Sequence, residues 1–205
     1  MALIRFSNFL LLFLLIACSN EEERIDYELE FESILNTFED SSILKLNTSE
    51  YINNELLDSF INKLDPQKIH FLENDIALFD EVIISRDNLF KNLNSIVDIF
   101  YQRYEESLKS RRALLRNHDF KFDLDESINL TDREVFFKTK DEKDNFLRKL
   151  VKNEILVQLL DEKNQFEIVK ELRINYQDRL SSLSKVRSED KFGILANNLL
   201  SLIDP

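Results

Sequence analysis

Cys18 closes the run Leu15-Ile16-Ala17-Cys18 and is the only cysteine in the 205 residues. A lone thiol cannot form an intramolecular disulfide, even in an oxidising compartment. Its position suits another chemistry. Arg5 supplies a positive start, Phe9 to Ala17 an apolar run, and the small Ala17 a cleavable position just before the cysteine. This predicts an export signal over residues 1–17, with the lone thiol of Cys18 best explained by consumption in lipidation. The run is too short to span a bilayer core, which takes about 20 apolar residues. At about 0.8 kcal/mol per buried methylene, one acyl chain would bind marginally, whereas two or three anchor stably. The expectation is therefore lipidation at Cys18, followed by a short acidic tether through Glu23 (residues 18–23).

The other chemistry-bearing residues do not assemble into a known constellation. His70 and His118 are the only histidines, and neither has clustered cysteines, so no shared metal or catalytic centre is expected. Acidic pairs such as Asp75 with Asp80 and Asp123 with Asp125 have the residue types for acid–base work. With 39 acidic residues in the chain, such pairs arise by chance. There is no Gly-x-Ser-x-Gly elbow and no phosphate loop, and the single glycine, Gly193, lies inside a helical stripe. No catalytic residue, cofactor-binding residue or metal ligand is expected. The basic run Arg103, Lys109, Arg111, Arg112 and Arg116 reads as a solvated helix face paired with Glu105 and Glu106. A net charge of −12 repels phosphate backbones, so nucleic acid is not an expected partner.

What must position these residues is a set of helices. One glycine and two prolines are far fewer than average usage of about 7% and 5% would give, and hairpin-rich folds need that punctuation. Apolar positions fall at helical spacing through Phe31, Ile34, Leu35 and Phe38, then through Ile52, Leu56, Phe60, Ile61 and Leu64, with Thr48 or Ser49 placed to cap the second stripe. Asp65-Pro66 ends that helix and is expected to open the next, Gln67 to Phe79, because proline suits a first helical turn. A long stripe comes next, from Leu89 to Leu108. Near residue 120 the period changes: Phe120, Phe122 and Leu124 alternate with Lys121 and Asp123 in the manner of a short strand. Helical spacing returns through Phe146, Leu150, Val151 and Ile155, through Ile168, Leu172, Tyr176 and Leu180, and, after a Ser188 cap, through Phe192, Leu195, Ala196, Leu199 and Leu202. The predicted fold class is all-α, a multi-helix domain over residues 24–205 with one short extended segment near residues 119–137. The ending Ile203-Asp204-Pro205 lacks a polar tail and reads as a chain that continues. The Phe surplus is expected in the core. Should some of it form a binding groove, the segment flanking Asp65 and Pro66 is the place, with Ile69, Phe71 and Leu72 as the partner-binding residues.

Two resemblances add to this reading. The Leu-Ile-Ala-Cys ending resembles the bacterial lipobox, and Ser19 rather than Asp after the cysteine implies an outer-membrane destination, facing the periplasm. Three segments resemble the N-terminal region of the tail-specific, or carboxy-terminal processing, proteases: Leu64-Asp65-Pro66-Gln67-Lys68-Ile69-His70-Phe71-Leu72 with Asp75 nearby; Phe120 to Ile128 running into Asp132-Arg133-Glu134; and Arg148-Lys149-Leu150-Val151-Lys152-Asn153-Glu154. In that family these are a turn between helices, a strand-like segment and a basic helix. Phe146 stands where the family often has Trp. The resemblance implies a serine-type endopeptidase acting near substrate C-termini, with its catalytic serine and lysine on a downstream protease domain that comes after a PDZ domain, so no residue here takes either role. The expected function is non-catalytic scaffolding of the protease and PDZ parts, with contacts to protein substrates or an adaptor lipoprotein. The competing readings are a free-standing helical envelope lipoprotein that binds protein partners and, more remotely, a small hydrolase.

Overall fold

The computed structural model describes residues 25–41, 54–80, 85–116, 120–123, 125–130, 133–161 and 163–203. Seven α-helices run through them: α1 (Tyr27–Ser41), α2 (Asn54–Leu64), α3 (Glu73–Asp80), α4 (Leu89–Leu114), α5 (Lys140–Leu160), α6 (Gln165–Leu183) and α7 (Ser188–Ile203). A 3-10 turn, Arg86–Asn88, leads into α4. The fold is all-α, as composition predicts.

Helix starts are set by short polar side chains that accept the otherwise unpaired N–H groups of the first turn. Asp26 accepts from Glu28 and Leu29 at 3.1 and 3.3 Å, Thr139 accepts from Glu142 at 3.2 Å, and Asn164 accepts from Phe166 at 2.8 Å. At α7 the cap differs from expectation. Ser188 is already helical, and the Asp190 carboxylate reaches back to the Arg187 N–H at 2.8 Å.

Helix α4, 26 residues and about 39 Å long, is shared by two hydrophobic clusters. Its first half contributes Leu89, Leu93, Ile96 and Val97 to a cluster with Phe31 and Leu35 of α1, Leu57, Phe60 and Ile61 of α2, Phe79 of α3, and Leu195 and Leu199 of α7. Its far end contributes Leu108, beside Leu115, to a second cluster with Val151 and Ile155 of α5 and Ile168, Val169, Leu172 and Tyr176 of α6. Between them Phe100, Tyr101 and Tyr104 form an aromatic bridge along one helix.

Two expected elements do not form as expected. No helix starts at Gln67: residues 65–72 form an irregular corner, and α3 begins only at Glu73. No strand forms at Phe120 to Asp123. The segment runs without helix or turn, and the isolated bridge joins Leu72 to Phe137 further along. The physical reasons differ: at the corner the Asp65 carboxylate, not a helix, takes up the N–H groups of residues 69–71, whereas residues 120–123 have no second segment among the described residues to pair with. Thr48, Ser49 and Ile52, like Cys18, the tether and His118, lie outside the described residues.

Candidate functional site

The corner after α2 is organised by one buried carboxylate. Asp65, 1% exposed, accepts the N–H groups of Ile69 (3.0 Å, Oδ1), His70 (2.7 Å, Oδ2) and Phe71 (3.0 Å, Oδ2). Three successive N–H groups converge on one side chain because Lys68 adopts φ 51°, the left-handed region, which folds the chain back over Asp65. That conformation is incompatible with a helix beginning at Gln67. Pro66 is exposed and occupies the turn itself. Three residues beyond Leu72, Asp75 repeats the device, accepting the Leu72 N–H at 2.9 Å while its own N–H donates to the Leu72 carbonyl at 2.9 Å.

Both neighbouring long helices grip this corner. From α4, Arg103 forms a bidentate pair with Asp75, Nε to Oδ2 at 2.9 Å and Nη2 to Oδ1 at 2.7 Å, and reaches Glu106 with Nη1 at 2.9 Å. From α5, the buried Lys143 donates to the His70 carbonyl at 2.5 Å. Burial pulls that ammonium down to about 8, against the opposing pull of Glu106. Lys68 donates to the Glu134 carbonyl at 2.6 Å, and Glu73 N–H to the Phe137 carbonyl at 2.9 Å. The site is thus a polar knot tying the α2–α3 corner to α4, to α5 and to the segment before α5. Most of its donors and acceptors are taken up by one another, the buried His70 Nδ1 being without a hydrogen-bond partner, and Lys143 has no serine beside it in these contacts. Among the described residues, no group of three His, Cys, Asp or Glu is placed to hold a metal ion, and no helix is long and apolar enough to cross a membrane.

His70 sits inside the knot with its ring edge-on to Phe100 and Tyr104, at centroid distances of 5.4 and 4.9 Å. Desolvation pushes its pKa down to about 4. Asp65 opposes the shift, and Lys143 and Arg111 reinforce it. The native state therefore keeps His70 neutral while the unfolded chain binds a proton below about 6.5. Stability contributed at this position is complete above pH 6.5 and falls as pH drops from 6.5 to 4, by at most about 1.4 kcal/mol per pH unit. In urea unfolding at pH 7.5, 6 and 5, the wild type is expected to lose more stability than His70→Phe across the series. Identical pH slopes would show that His70 is not buried neutral.

Two further locks hold the second cluster. Arg111 of α4 pairs with Glu154 of α5 at 2.5 Å and lies 5.0 Å over the Tyr176 ring of α6, whose hydroxyl also donates to Glu154. Glu126, in the segment before α5, is clasped by Arg148 and Lys152, which hold its carboxyl down at about 2.

The residues singled out from sequence divide sharply. Asp65 and Pro66 lie between α2 and α3, where the Asp65 carboxylate gathers three backbone N–H groups. Of the proposed partner-binding residues, Ile69 and Leu72 are half-buried, and Phe71 is fully buried against Phe79, Phe100 and Phe136. The Phe71 side chain belongs to the first cluster and is not available to a partner. The basic run is likewise corrected. Lys109 pairs with Glu105 on the surface, but Arg103 and Arg111 point into the protein, toward Asp75 and Glu154. Sequence reasoning missed Lys143, a buried cation among acidic neighbours in Asp141-Glu142-Lys143-Asp144 that periodicity alone would place in solvent.

The three segments that resemble tail-specific proteases are thus neighbours in space. The first meets the second where Lys68 donates to the Glu134 carbonyl, and the second meets the third where Arg148 and Lys152 clasp Glu126. A family model described as the tail specific protease N-terminal domain matches residues 34–205, nearly the whole folded part. No curated protein matches the chain. With the match covering most of its length, the chain belongs to the tail specific protease N-terminal domain family.

Proposed function

We propose that this chain is the non-catalytic helical region of a lipid-anchored, periplasm-facing tail-specific serine protease, in which it scaffolds the protease and PDZ parts and contacts substrate or an adaptor lipoprotein. The match over residues 34–205 carries this reading. In it, catalysis resides in a serine and a lysine supplied downstream. A lysine base must be neutral beside an activated serine, with preorganised donors for the oxyanion. Among the described residues, burial lowers Lys143 to about 8, and its ammonium already donates to the His70 carbonyl. A serine next to it is not among its contacts. The helical body offers the rigid partner that such a scaffold requires, because its corner is tied to two long helices at once.

The direct test is cleavage of a protein with an apolar C-terminal tail by this chain alone, by a downstream PDZ–protease region alone, and by both together. The expected result is no cleavage by this chain and a higher rate for the pair than for the downstream region alone. Cleavage by this chain, abolished by substituting one of its own serines, would overturn the reading.

Lipidation is tested separately. Wild type is expected in the membrane fraction and Cys18→Ala in the soluble fraction. Both proteins partitioning as soluble would remove the anchor from the proposal while leaving the scaffold role standing.

A further inference from the structure

The His70 ring is held where a charge has nowhere to go. It fills a slot beside α4, edge-on to Phe100 and Tyr104, and its Nδ1 is buried without a hydrogen-bond partner. A neutral ring leaves one nitrogen orphaned there. A protonated ring would bury a cationic N–H donor with no acceptor, which costs far more. Charged groups surround the slot on each element packed against it. Asp65 of the corner favours the proton, whereas Lys143 of α5 and Arg111 of α4 oppose it. Glu106 and Arg103 of α4 and Asp75 of α3 stand around Lys143, and Arg111 is paired with Glu154 of α5. These carboxylates have donors of their own: backbone N–H groups for Asp65, Arg103 for Asp75 and Glu106, and Arg111 with Tyr176 for Glu154. None accepts from Nδ1, so a charged ring is solvated only by leaving the slot.

The unit that carries His70 is built to be released. Among the described residues, α3 is the one helix of the seven that packs extensively on no other helix. Residues 65–80 are instead held by polar links at a few points: the Asp75–Arg103 pair, Lys143 to the His70 carbonyl, Lys68 to the Glu134 carbonyl, and the Glu73 N–H to the Phe137 carbonyl. Phe71 and Phe79 add an apolar hold on the first cluster. The helix-on-helix packing of α1, α2, α4, α5, α6 and α7 does not pass through this unit. A segment attached in this way opens locally, at a lower free energy than global unfolding.

We propose that the corner and α3 form a proton-operated latch: when His70 takes up a proton its ring leaves the slot beside Phe100 and Tyr104, and residues 65–80 detach from α4 and α5 while the other helices stay packed. Detachment takes the His70 carbonyl from Lys143 and uncovers Phe71 and Phe79. Its direction follows from the proton count. The open unit carries a histidine with the ordinary pKa of 6.5, and the closed unit one lowered to about 4. Between these values the open form binds more protons, so it gains as pH falls, and above pH 6.5 the latch stays shut. This goes beyond the proposed function and stands without it, since it requires neither the lipid nor a downstream protease.

The test is hydrogen exchange of the folded full chain at pH 7.5 and 5, with each rate corrected for the intrinsic pH dependence of amide exchange. The amides of residues 69–76 report the latch, and those of α6 report the rest of the fold. The opening ratio read from residues 69–76 is expected to rise roughly thirtyfold from pH 7.5 to 5, with α6 unchanged. In His70→Phe, which keeps an aromatic ring in the slot and cannot take a proton, the same residues should show no such rise. Should that variant fail to fold, the wild type still decides. The Cε1–H signal of His70, assigned by its persistence in His118→Gln, is expected to titrate well below 6.5 in proton NMR. The latch is overturned by the absence of a rise at residues 69–76, by an equal rise in α6, by an equal rise in His70→Phe, or by titration of His70 at the ordinary 6.5.

Discussion

Asp65→Ala is expected to lower the free energy of unfolding by about 3–5 kcal/mol, the largest effect of any single polar substitution in this protein. An ordinary exposed helix cap is worth about 1 kcal/mol. Asp65 differs because it is buried and because three N–H groups depend on it. Losing the acceptor strands donors that the rest of the fold cannot reach, at about 1–3 kcal/mol for each that stays dry. The left-handed Lys68 is retained only because those three bonds define it. Asp65→Asn should fall in between, since an amide keeps one acceptor oxygen where the native bonds use both. The measurement is urea unfolding monitored by helical circular dichroism. A loss no greater than about 1 kcal/mol for the alanine variant would mean that the corner relaxes freely into solvent, and the knot would not be a rigid element.

Phe71→Ala should cost a comparable amount, about 3–5 kcal/mol, by removing a fully buried ring and leaving a cavity among Phe79, Phe100 and Phe136. The exposed Leu78, seven residues on, is the control: Leu78→Ala should stay within about 0.5 kcal/mol of wild type. This pair separates the two readings of the segment. If Phe71 were a docking residue, its truncation would weaken partner binding and leave stability nearly unchanged. Stability that is indifferent to Phe71→Ala would refute its place in the first cluster.

Helical identity is legible in the sequence because it rests on a periodic signal. The stripes through Phe31 and Leu35, through Leu89 to Leu108, and through Ile168, Leu172 and Tyr176 all face one of the two clusters, as a 3.6-residue period requires. Asp65 and Pro66 are legible as a corner because proline restricts the residue before it and cannot continue a helix. The backbone path from Gln67 to Leu72 is not legible. A proline also suits a first helical turn, and nothing local tells whether Asp65 caps a new helix or gathers three N–H groups of a loop. That choice is made by Arg103 and Lys143, distant in sequence, which hold Asp75 and the His70 carbonyl in place. The same limit explains Arg103 and Arg111. On a helix wheel they sit among solvated neighbours, and only the positions of Asp75 and Glu154 on other elements turn them inward. The strand-like period near residue 120 is a correct reading of alternation. Its failure to become a strand reflects the lack of any second segment among the described residues to pair with it.

The division of α4 between two clusters sets an order of assembly. The buried residues of the second cluster all lie between Leu108 and Tyr176, and those packed against them between Tyr104 and Leu183, so it can close as soon as α6 has been made. The first cluster joins α1, α2 and α3 to Leu195 and Leu199, near the other end of the described chain. Its apolar faces therefore stay uncovered until α7 arrives, and loops of that length close slowly. A polypeptide emerging N-terminus first would hold its earliest helices open the longest. Its later half would already be packed, waiting at the far end of the same helix for the last segment to seal the beginning.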